Sequence, residues 1–377
     1  MPLRILFLFG TRPEAIKLCP VVLHFRSQPE RFDVRVCVTA QHRGMLDQVL
    51  SAFAVQPDYD LNLMQPGQTL FQSTARMMSA LEPVLMGADG WKPEMAFVQG
   101  DTTTTLCGAL AAFYARVPVG HIEAGLRTGD LAQPFPEEMN RVLTGRMAEL
   151  HFAATAWAAD NLRREGVADD RIWVTGNTGI DAVLHVKRGL EAGTMSSEAD
   201  WSWLDPAKKL IVVTAHRRES FGTGFERICQ ALADLAERPD VAIVYPVHPN
   251  PNVQDPVNRL LAHRTNVHRI APLDYVPFVD LMRRAYLLIT DSGGVQEEGP
   301  SLGKPILVLR EKTERPEAVA AGTVKLVGTD REKIVTEANR LLDDPKMREA
   351  MALVHNPYGD GRASERIADA TASFFGR

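Results

Sequence analysis

The chain has 377 residues, 45% of them hydrophobic and 24% charged, which excludes collagen-like, coiled-coil and disordered classes and, at roughly 150 residues per domain, gives two or three domains. Forty-two Lys and Arg against 47 Asp and Glu leave a formal charge of −5, so no nucleic acid or anionic membrane is favoured globally and any polyanion site has to be local. Cys19, Cys37, Cys107 and Cys229 show no paired or zinc-type spacing and read as reduced thiols of a cytoplasmic protein, while the apolar run from Ile5 to Phe9 stops at Gly10 and Arg12, too short for a signal sequence or a membrane span.

In chain order the expected strands are Leu3–Phe9, Asp33–Thr39, Glu94–Gln99, Val117–Ile122, Leu150–Ala153, Arg171–Thr175, Leu210–Thr214, Val241–Pro246, Val267–Ile270, Tyr286–Thr290, Pro305–Leu309 and Thr323–Val327. Most are apolar on both faces, as parallel strands covered by helices on each side are. Between them lie helical patterns such as Thr103–Ala115, Glu137–Met147, Gly224–Glu237, Gln296–Leu302 and Arg331–Asp343. This alternation implies right-handed βαβ units. Twelve strands are many for one sheet, so the expected fold is α/β with two Rossmann-like, doubly wound parallel-sheet domains facing a central cleft. The polar stretch Glu191–Lys209 and the earlier segment Ala168–Asn177 are both compatible crossing points. The division adopted is 1–170 and 171–361.

In such sheets ligands bind beyond the carboxyl ends of the strands. There the chain is polar and charged, with Gly10-Thr-Arg-Pro-Glu14, Gly100-Asp-Thr-Thr-Thr-Thr105 and Glu123-Ala-Gly-Leu-Arg127 in the first half. Ala215-His-Arg-Arg-Glu219, Val247-His-Pro249 and Asp291-Ser-Gly-Gly294 occupy the same positions in the second. The strongest phosphate signal is Thr290-Asp-Ser-Gly-Gly-Val-Gln-Glu-Glu298, where Ser292, Gly293 and Gly294 open a helix whose unpaired amides suit an anion. Glu298 then suits a pair of ribose hydroxyls. A glycine turn with a capping serine is the plainer alternative. Gly10-Thr-Arg-Pro-Glu-Ala-Ile-Lys17 fits neither the dinucleotide fingerprint nor the ATPase P-loop, but it places Arg12 and Lys17 beside any anion at that rim.

Three carboxylates stand out, each with a structural alternative. Asp101 is either a helix cap or an acid/base group; Glu123 closes an apolar strand, where a charge needs partners; Glu137 sits in a first helical turn, where acids complement the dipole. Asp101 and Glu123 end consecutive strands, and two carboxylates on one rim suit proton transfer at a sugar carbon. His216, flanked by Arg217 and Arg218, suits an anion or serves as a loop cap; His248 is open between the same two readings.

Together these segments resemble the bacterial non-hydrolysing UDP-N-acetylglucosamine 2-epimerases nearly end to end. The resemblance rests on Phe9-Gly-Thr-Arg-Pro-Glu-Ala-Ile-Lys17, Thr39-Ala-Gln-His-Arg43, Gly100-Asp-Thr-Thr-Thr104, His121-Ile-Glu-Ala-Gly-Leu-Arg-Thr128, Pro136-Glu-Glu-Met-Asn-Arg141, Thr175-Gly-Asn177, His216-Arg-Arg-Glu219, Asp291-Ser-Gly-Gly-Val-Gln-Glu-Glu298, Thr313-Glu-Arg-Pro-Glu317 and Asn356-Pro-Tyr-Gly-Asp-Gly361. It implies a glycosyltransferase-B-type fold and reversible C2 epimerisation of UDP-N-acetylglucosamine to UDP-N-acetylmannosamine, through elimination of UDP to a 2-acetamidoglucal, without NAD or a required metal. It also implies that residues 362–377 return to the first domain and that the chain is a cytoplasmic homodimer supplying surface polysaccharide synthesis.

By motif, Asp101, Glu123, Glu137 and His216 match the family's catalytic residues. Arg12, Lys17, Phe278, Ser292, Gly293, Gly294, Glu298 and Arg315 match its substrate contacts. Gln41, Arg43, Arg217 and His248 match a second UDP-N-acetylglucosamine site through which the substrate acts as an allosteric activator. Leu273 stands where relatives often carry a glutamine near the uracil, and Gly44 where many carry a longer polar side chain. A hydrolysing epimerase, a UDP-2,3-diacetamido-glucuronate epimerase and a glycosyltransferase are the alternative activities.

Overall fold

The structure, a computed structural model, describes residues 1–39, 43–313 and 315–377, the side chain of Arg43 excepted. Among them, thirteen strands form two all-parallel sheets. The first contains β1 (Leu3–Phe9), β2 (Phe32–Val38), β3 (Tyr59–Asp60), β4 (Met95–Gln99), β5 (Val119–Ala124), β6 (Leu150–Ala153) and β7 (Ile172–Val174) in the order β3-β2-β1-β4-β5-β6-β7. The second contains β8 (Lys209–Thr214), β9 (Val241–Pro246), β10 (Val267–Ile270), β11 (Leu287–Thr290), β12 (Ile306–Val308) and β13 (Val324–Leu326) in the order β10-β9-β8-β11-β12-β13. Each sheet winds outward in both directions from one central pair, β1 with β4 and β8 with β11. That pair is the topological switch point, the place in a doubly wound sheet where a crevice opens for ligand.

Burial on both faces explains the strand compositions. From Ile5 to Phe9 and throughout β4 every residue is buried, and Phe7 stacks on Phe97 at 5.0 Å and meets Phe25 edge-on at 5.4 Å. The helix Arg12–Arg26 that supplies Phe25 starts with a capping box between Thr11 and Glu14 and with Pro13 in its first turn. The second sheet has its own core, including Ile211, Val213, Phe225, Tyr245, Ile289 and Leu307.

The chain divides into two compact units, Met1–Ala182 with Tyr358–Arg377, and Val183–Pro357. The crossing therefore falls later than the expected 170/171, because β7 pairs with β6, His151 opposite Ile172, and closes the first sheet rather than opening the second. The change of unit occurs inside the helix Thr178–Ala192. The return begins at Tyr358, ahead of the expected 362. Where the two passages meet, the Asn177 amide donates to the Tyr358 carbonyl at 2.7 Å, and the buried Asp181 accepts from the amides of Ala363 (3.2 Å) and Ser364 (2.8 Å). The final helix, Ala363–Phe374, packs on the helix Arg12–Arg26.

Two further differences bear on the site. The strand β5 runs two residues later than expected, so Glu123 lies within it rather than beyond its end. The two-residue β3, paired to Cys37 and Val38, is too short to leave a hydrophobic pattern. Among the described residues no helix is long and apolar enough to cross a membrane.

Candidate active site

At the first switch point β1 leads into Gly10, whose Cα passes so close to Thr39 and Thr104 that a Cβ would lie 2.0 Å and 2.6 Å from their hydroxyl oxygens. Only glycine fits there. The next turn is organised by Glu14, 1% exposed. One of its oxygens accepts from the amides of Gly10 (3.0 Å) and Thr11 (2.7 Å), and the other from the hydroxyls of Thr102 (2.6 Å) and Thr105 (3.2 Å). Burial pushes this carboxyl upward, against the four donors. Glu14 thereby ties the loop after β1 to the loop after β4, a role that its motif position does not reveal.

Glu123 is the most unusual residue of this rim. Its φ is +63°, and the pairing of β5 with β6 slips a register between Ile122 and Ala124. A non-glycine residue in the left-handed region of a bulged strand stores strain, and the bulge re-aims its side chain. The carboxylate accepts from Lys17 Nζ and from Gln99 Nε2 (2.5 Å). Next door, Asp101 takes Arg141 Nε at 2.8 Å, and Asn140 Nδ2 donates to the Asp101 carbonyl at 2.8 Å. Asp101 is not the helix cap: Thr102 caps the helix Thr103–Tyr114 by accepting from the Thr105 amide. Two carboxylates, each against a cation and each partly open to solvent, thus stand at adjacent strands, Asp101 just beyond β4 and Glu123 near the end of β5.

Glu137 begins the helix Glu137–Met147 and is half-buried, whereas its neighbour Glu138 is fully buried. Desolvation opposes the Glu138 charge, but the amides of Gly129 (3.0 Å) and Thr128 (2.9 Å) and the Arg141 guanidinium (2.9 Å) hold its carboxyl below the usual range. Arg141 therefore bridges Glu138 and Asp101 and fixes the loop 125–136 beside the rim. Beneath the rim, His121 Nε2 donates to the Gly100 carbonyl at 2.8 Å, and its other ring nitrogen has no partner. Burial pushes this histidine down to about 3, so it is neutral.

At the second switch point the equivalent position is Asp291, entirely buried. One oxygen accepts from the amides of His216 (2.6 Å) and Arg217 (2.7 Å), and the other lies 3.6 Å from His216 Nδ1. The His216 ring is stacked on that of His248, centroids 5.3 Å apart and planes 9° from parallel. Burial lowers the His216 pKa; Asp291 opposes this, while His248 and Arg217 add to it. Gly293 opens the short helix Gly293–Glu298, and a Cβ there would sit 2.5 Å from the Arg315 guanidinium carbon. Arg315 thus lies over the glycine, fixed by Glu297 at 2.7 Å. Ser292 occupies the cap position without a side-chain capping bond, and Tyr275 donates to Glu298 at 3.5 Å. Phe278, half-buried, lies on the helix Tyr275–Arg284.

The first unit therefore brings Lys17, Asp101, Glu123 and the start of the Glu137 helix to one rim, with Arg12 in the turn between β1 and its helix. The second brings His216, Arg217, His248, Ser292, Gly293, Gly294 and Arg315 to another. Gln41 lies outside the described residues; Arg43 opens the helix Arg43–Ala52, its side chain likewise outside. The polar groups missed in the sequence are Glu14, Glu138 and Asp291, each held by a pair of backbone amides that leave no pattern, and Arg141, whose carboxylate partners Asp101 and Glu138 meet only in the fold.

A family model described as UDP-N-acetylglucosamine 2-epimerase matches residues 25–372. The UDP-N-acetylglucosamine 2-epimerase of Escherichia coli O157:H7 is 58% identical over 372 residues, 98% of this chain and 98% of that one. That of Salmonella typhimurium is 57% identical over 376 residues, 99% of each. The crystal structure of UDP-GlcNAc 2-epimerase from Neisseria meningitidis bound to UDP-GlcNAc superposes with a TM-score of 0.88 at 47% identity, covering 98% of this chain and 100% of that one. The two parallel-sheet domains are accordingly of the glycosyltransferase-B type. Similarity of this extent, along the whole chain and across both sheets, shows that the chain belongs to the UDP-N-acetylglucosamine 2-epimerase family.

Proposed function

We propose that the chain interconverts UDP-N-acetylglucosamine and UDP-N-acetylmannosamine without releasing the sugar. The observation that carries this reading is the pair Asp101 and Glu123 at adjacent strands, each partly open to solvent and each against a cation. Inversion at C2 needs a proton removed from one face and returned to the other, hence two acid/base groups. The C2 hydrogen has no adjacent carbonyl to acidify it. Its loss becomes feasible as the C1–O bond breaks, the bonding pair leaving with the UDP oxygen, the C2 proton passing to a carboxylate, and C1=C2 forming the 2-acetamidoglucal. Protonation of C2 on the opposite face and return of the UDP oxygen to C1 complete the reaction.

In this reading Asp101 and Glu123 transfer the protons, and Glu137 assists or positions. Arg12, Lys17, His216, Arg315 and the Ser292-Gly293-Gly294 turn offset the charge of the leaving diphosphate. Glu298 takes the ribose hydroxyls, and Phe278 packs on the base. Turnover followed by proton NMR in heavy water tests the mechanism: deuterium is expected at C2 of a product still carrying UDP. Product without solvent hydrogen overturns the elimination, and free N-acetylmannosamine makes the enzyme a hydrolysing one.

The same proposal extends to regulation, assembly and place. UDP-N-acetylglucosamine bound at Arg217 and His248 would touch the ring stacked on His216, which supports its role as activator; substrate saturation of His248→Ala should then lose any sigmoidal character. A second copy of the chain would cover the face where Met86, Phe113 and Tyr114 are exposed, with sedimentation as the check. Four buried free cysteines fit the reducing cytoplasm, where activated N-acetylmannosamine would feed surface polysaccharide synthesis.

A further inference from the structure

We infer that Asp291 is the positioning residue of His216: its buried carboxylate holds the imidazole with Nδ1–H facing the protein and leaves Nε2 for the substrate. The inference rests on the proposed role of His216 at the leaving diphosphate, and it concerns how that ring is prepared.

Three observations carry it. Asp291 is the first residue after β11, and its amide donates to the Thr214 carbonyl at 3.0 Å, so the carboxylate is delivered to the exit of the neighbouring strand β8. One carboxylate oxygen then closes the loop by taking the amides of His216 and Arg217 at 2.6 Å and 2.7 Å. The second oxygen, buried and without a hydrogen-bond partner, lies 3.6 Å from His216 Nδ1. A buried carboxylate oxygen with no donor is costly, and a small ring rotation brings that nitrogen within hydrogen-bonding reach. With Nδ1 so engaged, Nε2 is the acceptor of the neutral ring and the second donor of the imidazolium.

A loop clamp alone would need only the first oxygen. The surroundings of the ring are otherwise unfavourable to its charge, since His248 stacks on one face and Arg217 is adjacent; Asp291 is the carboxylate set against them. As diphosphate charge builds at the leaving oxygen, an imidazolium backed by Asp291 donates from Nε2. Without that backing the ring rotates and carries less charge.

The test begins with the wild-type chain, in which nitrogen-15 NMR of the His216 ring should report the Nδ1-protonated tautomer. The Nε2-protonated tautomer overturns the inference, and this measurement stands even where a variant does not fold. Asp291→Asn keeps an oxygen for the two amides but loses the charge; turnover should fall about 10- to 100-fold with UDP affinity nearly unchanged, and His216 should titrate at lower pH. In a His216→Asn background the same substitution should cost less than about twofold, because the two residues act as one unit. Equal losses in both backgrounds would make Asp291 a loop clamp only. If wild-type chain does not epimerise UDP-N-acetylglucosamine, the functional reading fails instead; active wild type with additive losses sinks the positioning role alone.

Discussion

The two sheets share one winding order outward from their switch points but hold the carboxylates of their rims in opposite ways. In the first unit Glu123 stands on a bulged strand at a φ of +63°, its side chain 17% exposed and satisfied by other side chains, Lys17 and Gln99. In the second, Asp291 is wholly buried after β11, one oxygen held by main-chain amides and the other facing the His216 ring. A carboxylate held by a mobile cation can exchange its partner for a substrate and move a proton. One locked by amides can only orient what surrounds it. The same scaffold thus holds one carboxylate by side chains and the other by its own main chain.

The largest expected effect breaks the comparison at its chemical end. Asp101→Asn and Glu123→Gln should each lower turnover by at least about 10³-fold, with UDP affinity by calorimetry changed less than about twofold; a collapse of UDP binding would mean that the two carboxylates serve to place their cations, Arg141 and Lys17, rather than to move protons. Gly293→Ala is the mirror case. Its Cβ would displace the Arg315 guanidinium, 2.5 Å away, and UDP affinity should drop about tenfold while turnover at saturating substrate stays within a few-fold.

A smaller effect separates the units by pH. The largest downward histidine shifts lie in the first sheet, where burial takes His121 to about 3 and His151 to about 4. Unfolded, both bind a proton near 6.5, so between those values the unfolded chain holds more protons. Stability is therefore full above about pH 6.5 and falls on acidification, by up to about 1.4 kcal/mol per pH unit for each residue. Urea unfolding at pH 7 and pH 5 should show this slope, and His121→Asn should flatten it. The smallest effect isolates the strain at Glu123: Glu123→Gly should be about 1 kcal/mol more stable than Glu123→Ala, since both lose the carboxylate and only glycine accepts the left-handed backbone without cost.

Much of the fold is legible because apolar runs such as Ile5–Phe9 and Met95–Gln99 must be buried on both faces, and a parallel sheet is what buries them. Pairing is a tertiary choice, so β7 could not be assigned to its sheet from Ile172-Trp-Val174 alone. At the site, Glu123 announced itself as a charge on an apolar strand that required partners, and Lys17 and Gln99 are those partners. Its bulge left no trace, because register depends on the neighbouring strand. Glu14 and Glu138 do not stand out in the sequence, since their defining partners, the amides of Gly10, Thr11, Thr128 and Gly129, look like every other amide.

The crossing at Asn177 and Tyr358, with Asp181 seizing the first amides of the last helix, also sets a timetable. The surface of the helix Arg12–Arg26 is covered by Ala363–Phe374, which is made only after the whole second unit. During synthesis the second unit can fold as soon as Pro357 has emerged, but the first must wait with an apolar flank open until the segment that follows it has been made as well. A chain cut just before the final helix would therefore carry a complete second unit and a first one with its flank uncovered.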